Sequence, residues 1–291
     1  MGVDHHEGVM SIVIAWMLTA VITGGVTVYT VVPGDTLTIV AARFGAYPTT
    51  IAADNQLDPK RPLTVGRQLH IDNRHIIPGV IADGEIVVNI PQRMLFYREA
   101  DRIFAYPVAV GRPTWRTPAG PFEVVRTEQD PAWHVPESIR AESERSGKVL
   151  PRVVPPGPHN PLGRFWIGLS LESIGIHGTL LPSSIYQTAT HGCIRLQADD
   201  IADLYSHVRV GARGRIIYEP VLLAREGDDV FVEAHEDVYR RMPVGAATHA
   251  RELALRLGVS NRIDWTATDR EIDRHDGVAR RIGLRPAAAS P

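Results

Sequence analysis

The stretch GIHGTLLPSSIYQTATHGCIRL, residues 175–196, is the most informative part of this sequence. It contains Cys193, the single cysteine of the chain, and His177 sixteen residues earlier. A cysteine nucleophile needs a base within hydrogen-bond reach and donors that stabilise a developing oxyanion. Because a lone cysteine is more often a small buried residue, the pair predicts covalent catalysis only together with the residues around it.

The residues beside Cys193 supply those further groups. Gly192 has no side chain to block the backbone, so its amide and that of Cys193 could form an anion hole. The carbonyl of Gly178 could orient the His177 ring, since no carboxylate is adjacent in sequence. Arg195 lies two positions after Cys193, on the same face of an extended segment, where it could pair with a substrate carboxylate.

Residues 75–220, which include this stretch, are predicted to be mostly β. The segment consists of short runs rich in valine, isoleucine and aromatic residues, separated by turns that contain glycine or proline, which is typical of a sandwich or barrel. The predicted strands are Gly84–Ile90, Arg93–Tyr97, Phe104–Val110, Phe122–Arg126, Phe165–Ser170, Gly175–Gly178 and Arg215–Tyr218. One helix is predicted over Ala198–Val208, where Ile201 and Leu204 fall on one face.

The motif around Cys193 resembles that of the YkuD-type L,D-transpeptidases: a histidine, a spacer, then Ser/Thr-His-Gly-Cys, a hydrophobic residue and Asn or Arg. This sequence supplies every position, with His177 followed by THGCIR at 190–195. Two further stretches resemble the family, TPAGPF at 117–122 and PPGPHNPLG at 155–163. The resemblance covers residues 80–220 and implies a mainly β catalytic domain, a YkuD-like β-sandwich, over 80–219.

The resemblance also implies roles. Cys193 would be the nucleophile, His177 the general base and then acid, and Gly178 the orienter of the ring through its carbonyl. Substrate-binding residues would surround the nucleophile: Thr190, His191, Gly192, Arg195 and Asn160. The implied substrate is a peptidoglycan stem tetrapeptide, cleaved between meso-diaminopimelate and D-Ala without a metal or organic cofactor. The acceptor stays open: a second diaminopimelate (3→3 cross-link), a lysine of an outer-membrane lipoprotein, a free D-amino acid or water.

Residues 28–72 carry a second set of motifs. VVPGDTL at 31–37 predicts a strand end, a turn and a helix capped by Asp35 or Thr36. A second helix near Thr49–Asn55 and a strand near Gln68–Ile71 complete a βααβ order. With PLTVGRQL at 62–69, this order resembles the LysM module. The resemblance implies binding to N-acetylglucosamine-containing glycans such as peptidoglycan, beside the 34–36 turn and Asn55, with the module acting as a tether.

The last part of the chain, 220–291, is expected to be a mostly helical extension after a hairpin-like stretch at Val230–Ala234. One helix should have Ala246, Ala250, Leu253 and Leu257 on one face and end at Gly258. Thr268 and Glu271 have the spacing of a capping box, which predicts a second helix with Ile272, Ala279 and Ile282 facing inward. None of these residues predicts chemistry.

The N-terminal segment and the composition indicate a compartment. Val9–Ile22 is an uncharged apolar run of fourteen residues, the length of a signal-peptide core and short of the roughly 20 that span a membrane. We expect residues 1–25 to be a signal peptide or anchor and the protein to be periplasmic, although no lysine or arginine precedes the run and a buried helix is the alternative. Lys+Arg 31 against Asp+Glu 33 gives a net charge of −2, which argues against nucleic-acid binding.

Four alternatives accompany this interpretation. His191 could be the base, or could hold the loop by hydrogen bonds. The chain could be an L,D-carboxypeptidase, with water as the acceptor. It could also be a non-catalytic wall-binding protein in which only the LysM module functions. Finally, His177, His191 and Cys193 could bind zinc in a hydrolase, although no carboxylate lies close in sequence to act as its base.

Overall fold

A computed structural model describes residues 21–282. Most of the run Val9–Ile22 and the tail Arg285–Pro291 lie outside the described residues, so the signal or anchor over 1–25 stays a prediction. Between residues 21 and 282, no helix is both long enough and apolar enough to cross a membrane.

The N-terminal unit has the predicted βααβ order. Its elements, with a short preceding strand, are β1 (Ile22–Thr23), β2 (Val26–Thr30), α1 (Leu37–Phe44), α2 (Pro48–Asp54) and β3 (Gln68–Asp72). Strands β2 and β3 pair antiparallel. The hydroxyl of Thr36 accepts the amide of Ile39 and so caps α1, while Gly45 ends that helix at φ +67°.

The middle unit is mainly β, which confirms the predicted fold class. Its elements are β4 (His75–Ile76), β5 (Ile86–Asn89), β6 (Met94–Glu99), β7 (Arg102–Pro107), β8 (Val110–Gly111), β9 (Gly120–Gln129), β10 (Trp133–His134), α3 (Glu137–Arg145), β11 (Val153–Val154), β12 (Phe165–Leu169), β13 (Gly175–His177), β14 (Thr188–Thr190), β15 (Ile194–Arg195), α4 (Ala198–His207) and β16 (Arg213–Ile217). Helix α3 has no counterpart in the sequence-based prediction.

The expected sandwich takes the form of one eight-stranded sheet that curls. The strand order is β15-β13-β12-β9-β16-β5-β6-β7. Ala109, two residues after edge strand β7, forms a bridge with Arg195 in the opposite edge strand β15. The two edges therefore meet, and the sheet encloses a core to which α4 contributes Ile201 and Leu204. The strands that carry His177 and Arg195 lie at this closure.

The C-terminal unit combines the two expected helices with a three-stranded sheet. Its elements are β17 (Val221–Glu226), β18 (Asp229–Ala234), α5 (Ala246–Arg256), α6 (Trp265–Arg274) and β19 (Arg280–Ile282). The predicted capping box is wrong, because Asp264 caps α6 and the hydroxyl of Thr268 donates to the Asp264 carbonyl. Ile282 belongs to β19 and pairs with Val230, since the chain leaves the helical conformation at His275.

The three units share buried contacts. Ala42 of α1 packs against Ala109 and Ile185 of the middle unit, and all three are at most 1% exposed. A buried carboxylate, Glu233 of β18, lies 2.8 Å from His75 Nδ1 and 2.8 Å from His235 Nε2. The N-terminal module is thus packed against the rest of the described chain.

Candidate active site

Cys193 lies immediately before β15, beside the strand that carries His177. Strands β13 and β15 run parallel, and His177 is the register partner of Arg195. The half-buried thiol donates to the Ser173 carbonyl at 3.6 Å. Burial raises the pKa of the Cys193 thiol, and the Gly175 amide and the Arg195 charge partly offset this. The resting nucleophile is therefore a protonated thiol.

His177 is held as a neutral base. Its side chain is buried, and Nδ1 donates to the Gly178 carbonyl at 2.7 Å. Burial first, and the neighbouring charge of Arg195 second, lower the pKa of His177 to about 3. The imidazole is therefore neutral at pH 7, with its lone pair on Nε2 and its tautomer set by Gly178. Among the described residues no hydrogen bond joins Nε2 to the Cys193 thiol, a separation that is common in unliganded sites.

Trp166 forms a platform for this histidine that sequence reasoning missed. The two residues are register partners in β12 and β13, and their rings stack at 5.8 Å with an angle of 23°. Two glycines make room for the indole: a Cβ on Gly168 would lie 2.9 Å from it and one on Gly175 2.3 Å. The alternation of Trp166 with Gly168, and of Gly175 with His177, was the available signal, because these residues share one face of the sheet.

The loop before Cys193 is organised by Thr190. Its hydroxyl donates to the Cys193 carbonyl at 2.6 Å and accepts the Gly192 amide at 3.1 Å. Thr190 is 1% exposed, so its hydrogen bonds position the nucleophile, and its predicted substrate contact stays a prediction. The expected anion hole loses one of its two donors, because the Gly192 amide already donates to Thr190. The Cys193 amide donates to no acceptor within the described chain and stays available. Gly192 adopts φ +109°, a conformation that favours glycine.

Asn160 has a structural role, and its predicted substrate contact stays a prediction. It is 1% exposed. Its amide nitrogen donates to the carbonyls of Pro131, Val154 and Pro155, at 2.8, 3.3 and 3.2 Å, and its oxygen accepts the Leu162 amide. Asn160 therefore joins the two ends of the segment 131–155, which contains α3.

Arg195 presents a charge without a partner among residues 21–282. Its guanidinium makes no recorded ion pair or hydrogen bond there, and burial lowers its pKa. A half-buried cation of this kind is suited to a carboxylate supplied by a ligand. Arg195 therefore keeps its candidate role.

His191 contacts α3 through Glu142 and also contacts Arg112. Its Nε2 lies 2.5 Å from Glu142 Oε2 and 2.8 Å from Arg112 Nη2, and Arg112 also pairs with Glu142 Oε1. Trp115 contacts the imidazole edge-on at 5.1 Å. The hydrogen bond from His191 and the charge of Arg112 lower the pKa of Glu142. His191 is therefore engaged with an ionised carboxylate and is not placed as the base.

Two further residues that sequence reasoning missed support the same loop. Thr117 Oγ1 donates to the Gly192 carbonyl and accepts the Gly111 amide, both at 2.8 Å. Tyr239, from the C-terminal unit, donates its hydroxyl to the Gly111 carbonyl at 2.5 Å. No periodicity signals the Thr117–Gly192 and Tyr239–Gly111 contacts, because they join residues 75 and 128 positions apart.

The zinc alternative lacks an assembled ligand set. Within residues 21–282, no three His, Cys, Asp or Glu side chains are grouped so that they could hold a metal ion. His191 contacts Glu142 and Arg112, whereas His177 contacts the Gly178 carbonyl.

Family models match both motif-bearing parts of the chain. The L,D-transpeptidase catalytic domain (YkuD) matches residues 83–222, and the LysM domain matches residues 29–72. Both resemblances stated from the sequence motifs are confirmed.

Individual relatives carry the same description. A probable L,D-transpeptidase ErfK/SrfK of Salmonella typhimurium (strain LT2) is 35% identical over 205 residues, which are 69% of this chain and 65% of the relative. This chain thus spans less than two thirds of that relative's length. A putative L,D-transpeptidase YkuD of Bacillus licheniformis is 33% identical over 190 residues, 64% of this chain and 95% of the relative. Among solved structures, L,D-transpeptidase 3 from Mycobacterium tuberculosis has a TM-score of 0.36 and 16% identity, over 46% of this chain and 60% of that one.

Proposed function

This chain belongs to the YkuD family of L,D-transpeptidases, and from that premise we propose that it is a cysteine L,D-transpeptidase of peptidoglycan. The observation that carries the proposal is the arrangement of His177, whose Nδ1 donates to Gly178 and leaves Nε2 as a base beside the segment that bears Cys193. A neutral imidazole next to a protonated thiol is the resting state that general-base activation of a cysteine requires.

The first half-reaction acylates the enzyme. Nε2 of His177 takes the proton of the Cys193 thiol, and the sulfur attacks the carbonyl that joins meso-diaminopimelate to D-Ala. The Cys193 amide is the available donor to the oxyanion. When the tetrahedral intermediate collapses, the C–N bond breaks and His177 returns the proton to the leaving amine of D-Ala. The peptide is then a thioester on Cys193.

The second half-reaction transfers the peptide to an amine. His177 takes a proton from the incoming amine as its nitrogen attacks the thioester carbonyl, and the thiol is restored when the C–S bond breaks. A diaminopimelate amine would make a 3→3 cross-link, and a lipoprotein lysine would attach that protein to the wall. Water would make the enzyme a carboxypeptidase.

The N-terminal module would bind the glycan strand. A groove of about 490 Å³ opens beside the end of α2, lined by residues that include Leu37, Gln56, Leu57 and Arg67. It borders the Asn55 region that the LysM resemblance implicates. Polar and apolar groups on one concave surface suit a sugar with hydroxyl and acetyl groups. Because this substrate lies outside the cytoplasm, the proposal includes export to the periplasm.

The proposal is tested by replacing the single thiol. Purified protein should release D-Ala from a stem tetrapeptide and gain the mass of a carbapenem, whereas Cys193→Ala and Cys193→Ser should do neither, because a serine hydroxyl is not readily ionised by one imidazole. Circular dichroism should show both variants folded.

The muropeptides of cells with and without active Cys193 then identify the acceptor. Diaminopimelate–diaminopimelate dimers establish cross-linking, a peptide-linked lysine establishes anchoring, and conversion of tetrapeptide to tripeptide alone establishes hydrolysis. Turnover retained in both cysteine variants would exclude a Cys193 acyl-enzyme.

A further inference from the structure

We propose that Arg112 and His191 form a carboxylate-binding subsite for the donor stem peptide, and that Glu142 of α3 occupies this subsite in the structure. The inference rests on the proposed function. It assigns a ligand chemistry to Arg112 and a competing role to Glu142, neither of which the sequence motifs indicate.

Glu142 is held as a bound carboxylate would be. One carboxylate oxygen pairs with Arg112 Nη2 and the other lies 2.5 Å from His191 Nε2, so the group bridges two donors. Two-point binding by charged donors is the usual mode of carboxylate recognition. The side chains of Arg112, Glu142 and His191 are 33%, 31% and 27% exposed, so a ligand can reach the subsite from solvent.

The subsite is built on the loop between His177 and Cys193 (residues 178–193, the catalytic loop), whereas its occupant Glu142 lies on α3. The Arg112 amide donates to the Thr190 carbonyl at 3.0 Å, and His191 is two residues before Cys193. Helix α3 has no buried residue, and the segment that carries it is joined at its ends by Asn160. Displacing Glu142 therefore costs little apolar burial.

Glu142 alone does not satisfy all the hydrogen-bond donors of Arg112 and His191. The His191 Nε2 atom is close to both Glu142 and Arg112, yet one ring nitrogen can either donate to the first or accept from the second. The Arg112 Nε–H is buried and has no acceptor among residues 21–282. An unpaired buried donor is costly, so a ligand carboxylate that also reaches Nε has an advantage over Glu142.

The position of His177 indicates which part of the substrate binds here. His177 protonates the leaving amine, and its register partner is Arg195. In D-Ala the carboxylate is one carbon from that amine, so Arg195 is suited to the leaving group and the acceptor. Arg112 and His191 face α3, and we assign them to the donor stem, which offers the free carboxylates of D-glutamate and of diaminopimelate.

The test measures binding without turnover. Calorimetry gives the Kd of a stem tetrapeptide for Cys193→Ala, and the same measurement is made after adding Arg112→Gln or Glu142→Gln. We expect Arg112→Gln to weaken binding about tenfold, and Glu142→Gln to tighten it by a similar factor because the internal competitor is lost. Glu144→Gln is the matched control, since it makes the same change on an exposed position of α3 and should leave Kd unchanged.

Amidated peptides identify the carboxylate. Tetrapeptides amidated at D-glutamate or at diaminopimelate should differ in Kd. Amidation of the carboxylate that binds Arg112 should weaken binding, and this loss of affinity should disappear when Arg112→Gln is added. The proposal is overturned if Glu142→Gln and Glu144→Gln give the same Kd, or if Arg112→Gln weakens the free and both amidated peptides equally. Turnover by the wild type would leave the proposed function intact whichever way the Kd values fall. Tighter binding after Glu142→Gln together with a wild type that shows no turnover would support the subsite and refute the transpeptidase.

Discussion

The two sides of the catalytic loop are held in different ways. On one side, the spacer between His177 and Cys193 packs on the N-terminal module, and Ile185 and Tyr186 are 1% and 3% exposed. On the other side, α3 lies over His191 with no buried residue and contacts the loop through Glu142. We call these the supported side and the covering side.

The difference separates two tasks. The supported side keeps the nucleophile and base in one geometry, which acyl transfer requires. The covering side depends on polar contacts that are partly exposed, and such contacts contribute little to stability. It can therefore be displaced when a substrate arrives, while the supported side stays in place.

The largest effect should come from the base on the supported side. His177→Gln should lower the rate of acylation about 10⁴-fold, because loss of the general base leaves the thiol protonated. The rate is measured by intact mass after mixing with a carbapenem. His159→Gln makes the same change at an exposed position of the 155–163 loop and should have little effect; similar losses in both variants would remove His177 from the mechanism.

A smaller effect is expected on the free energy of unfolding when one apolar side chain is truncated on each side. Ile185→Ala should lower the free energy of unfolding by about 2–5 kcal/mol, because it leaves a cavity between Ala42 and Ala109. Val149→Ala removes apolar atoms just beyond α3, where the side chain is 86% exposed, and should change stability by less than about 0.5 kcal/mol. Urea titration measures both values. Equal values would contradict the assignment of a supported and a covering side.

The smallest effect concerns pH. Burial holds the pKa of His177 at about 3 in the folded protein, whereas the unfolded chain titrates near 6.5, so the unfolded state binds the proton first as the pH falls. Stability is therefore lost below pH 6.5, and this group alone accounts for about 2 kcal/mol by pH 5.

The pH prediction is checked by comparing the free energy of unfolding at pH 7 and pH 5 for wild type and His177→Gln. The variant should lose less stability, and an equal loss would mean that His177 is protonated in the folded state. The buried His235, whose pKa burial also lowers, contributes in the same direction in both proteins.

Local patterns were sufficient for much of the fold. The strands around 165–178 and 213–218 and the helix at 198–208 alternate or repeat at the spacing of their structures, because burial of one face selects that period. The C-terminal strands Val221–Glu226 and Arg280–Ile282 were missed because their strand conformation depends on pairing with a partner strand. They become strands by pairing with Asp229–Ala234, and the partner of Arg280–Ile282 is about fifty residues away.

The sequence alone identified the family, the βααβ module and the His177–Cys193 pair, because each depends on residue types at short, regular spacing. Only the tertiary structure decided which groups surround that pair. Trp166 under His177, Glu142 against His191, Tyr239 on Gly111 and the Ala42–Ile185 contact join distant segments. Their side chains have no local periodicity of their own. Closure of the sheet and packing of the three units bring them together, and those long-range contacts determine which polar groups are satisfied and which, like Arg195, remain available to a substrate.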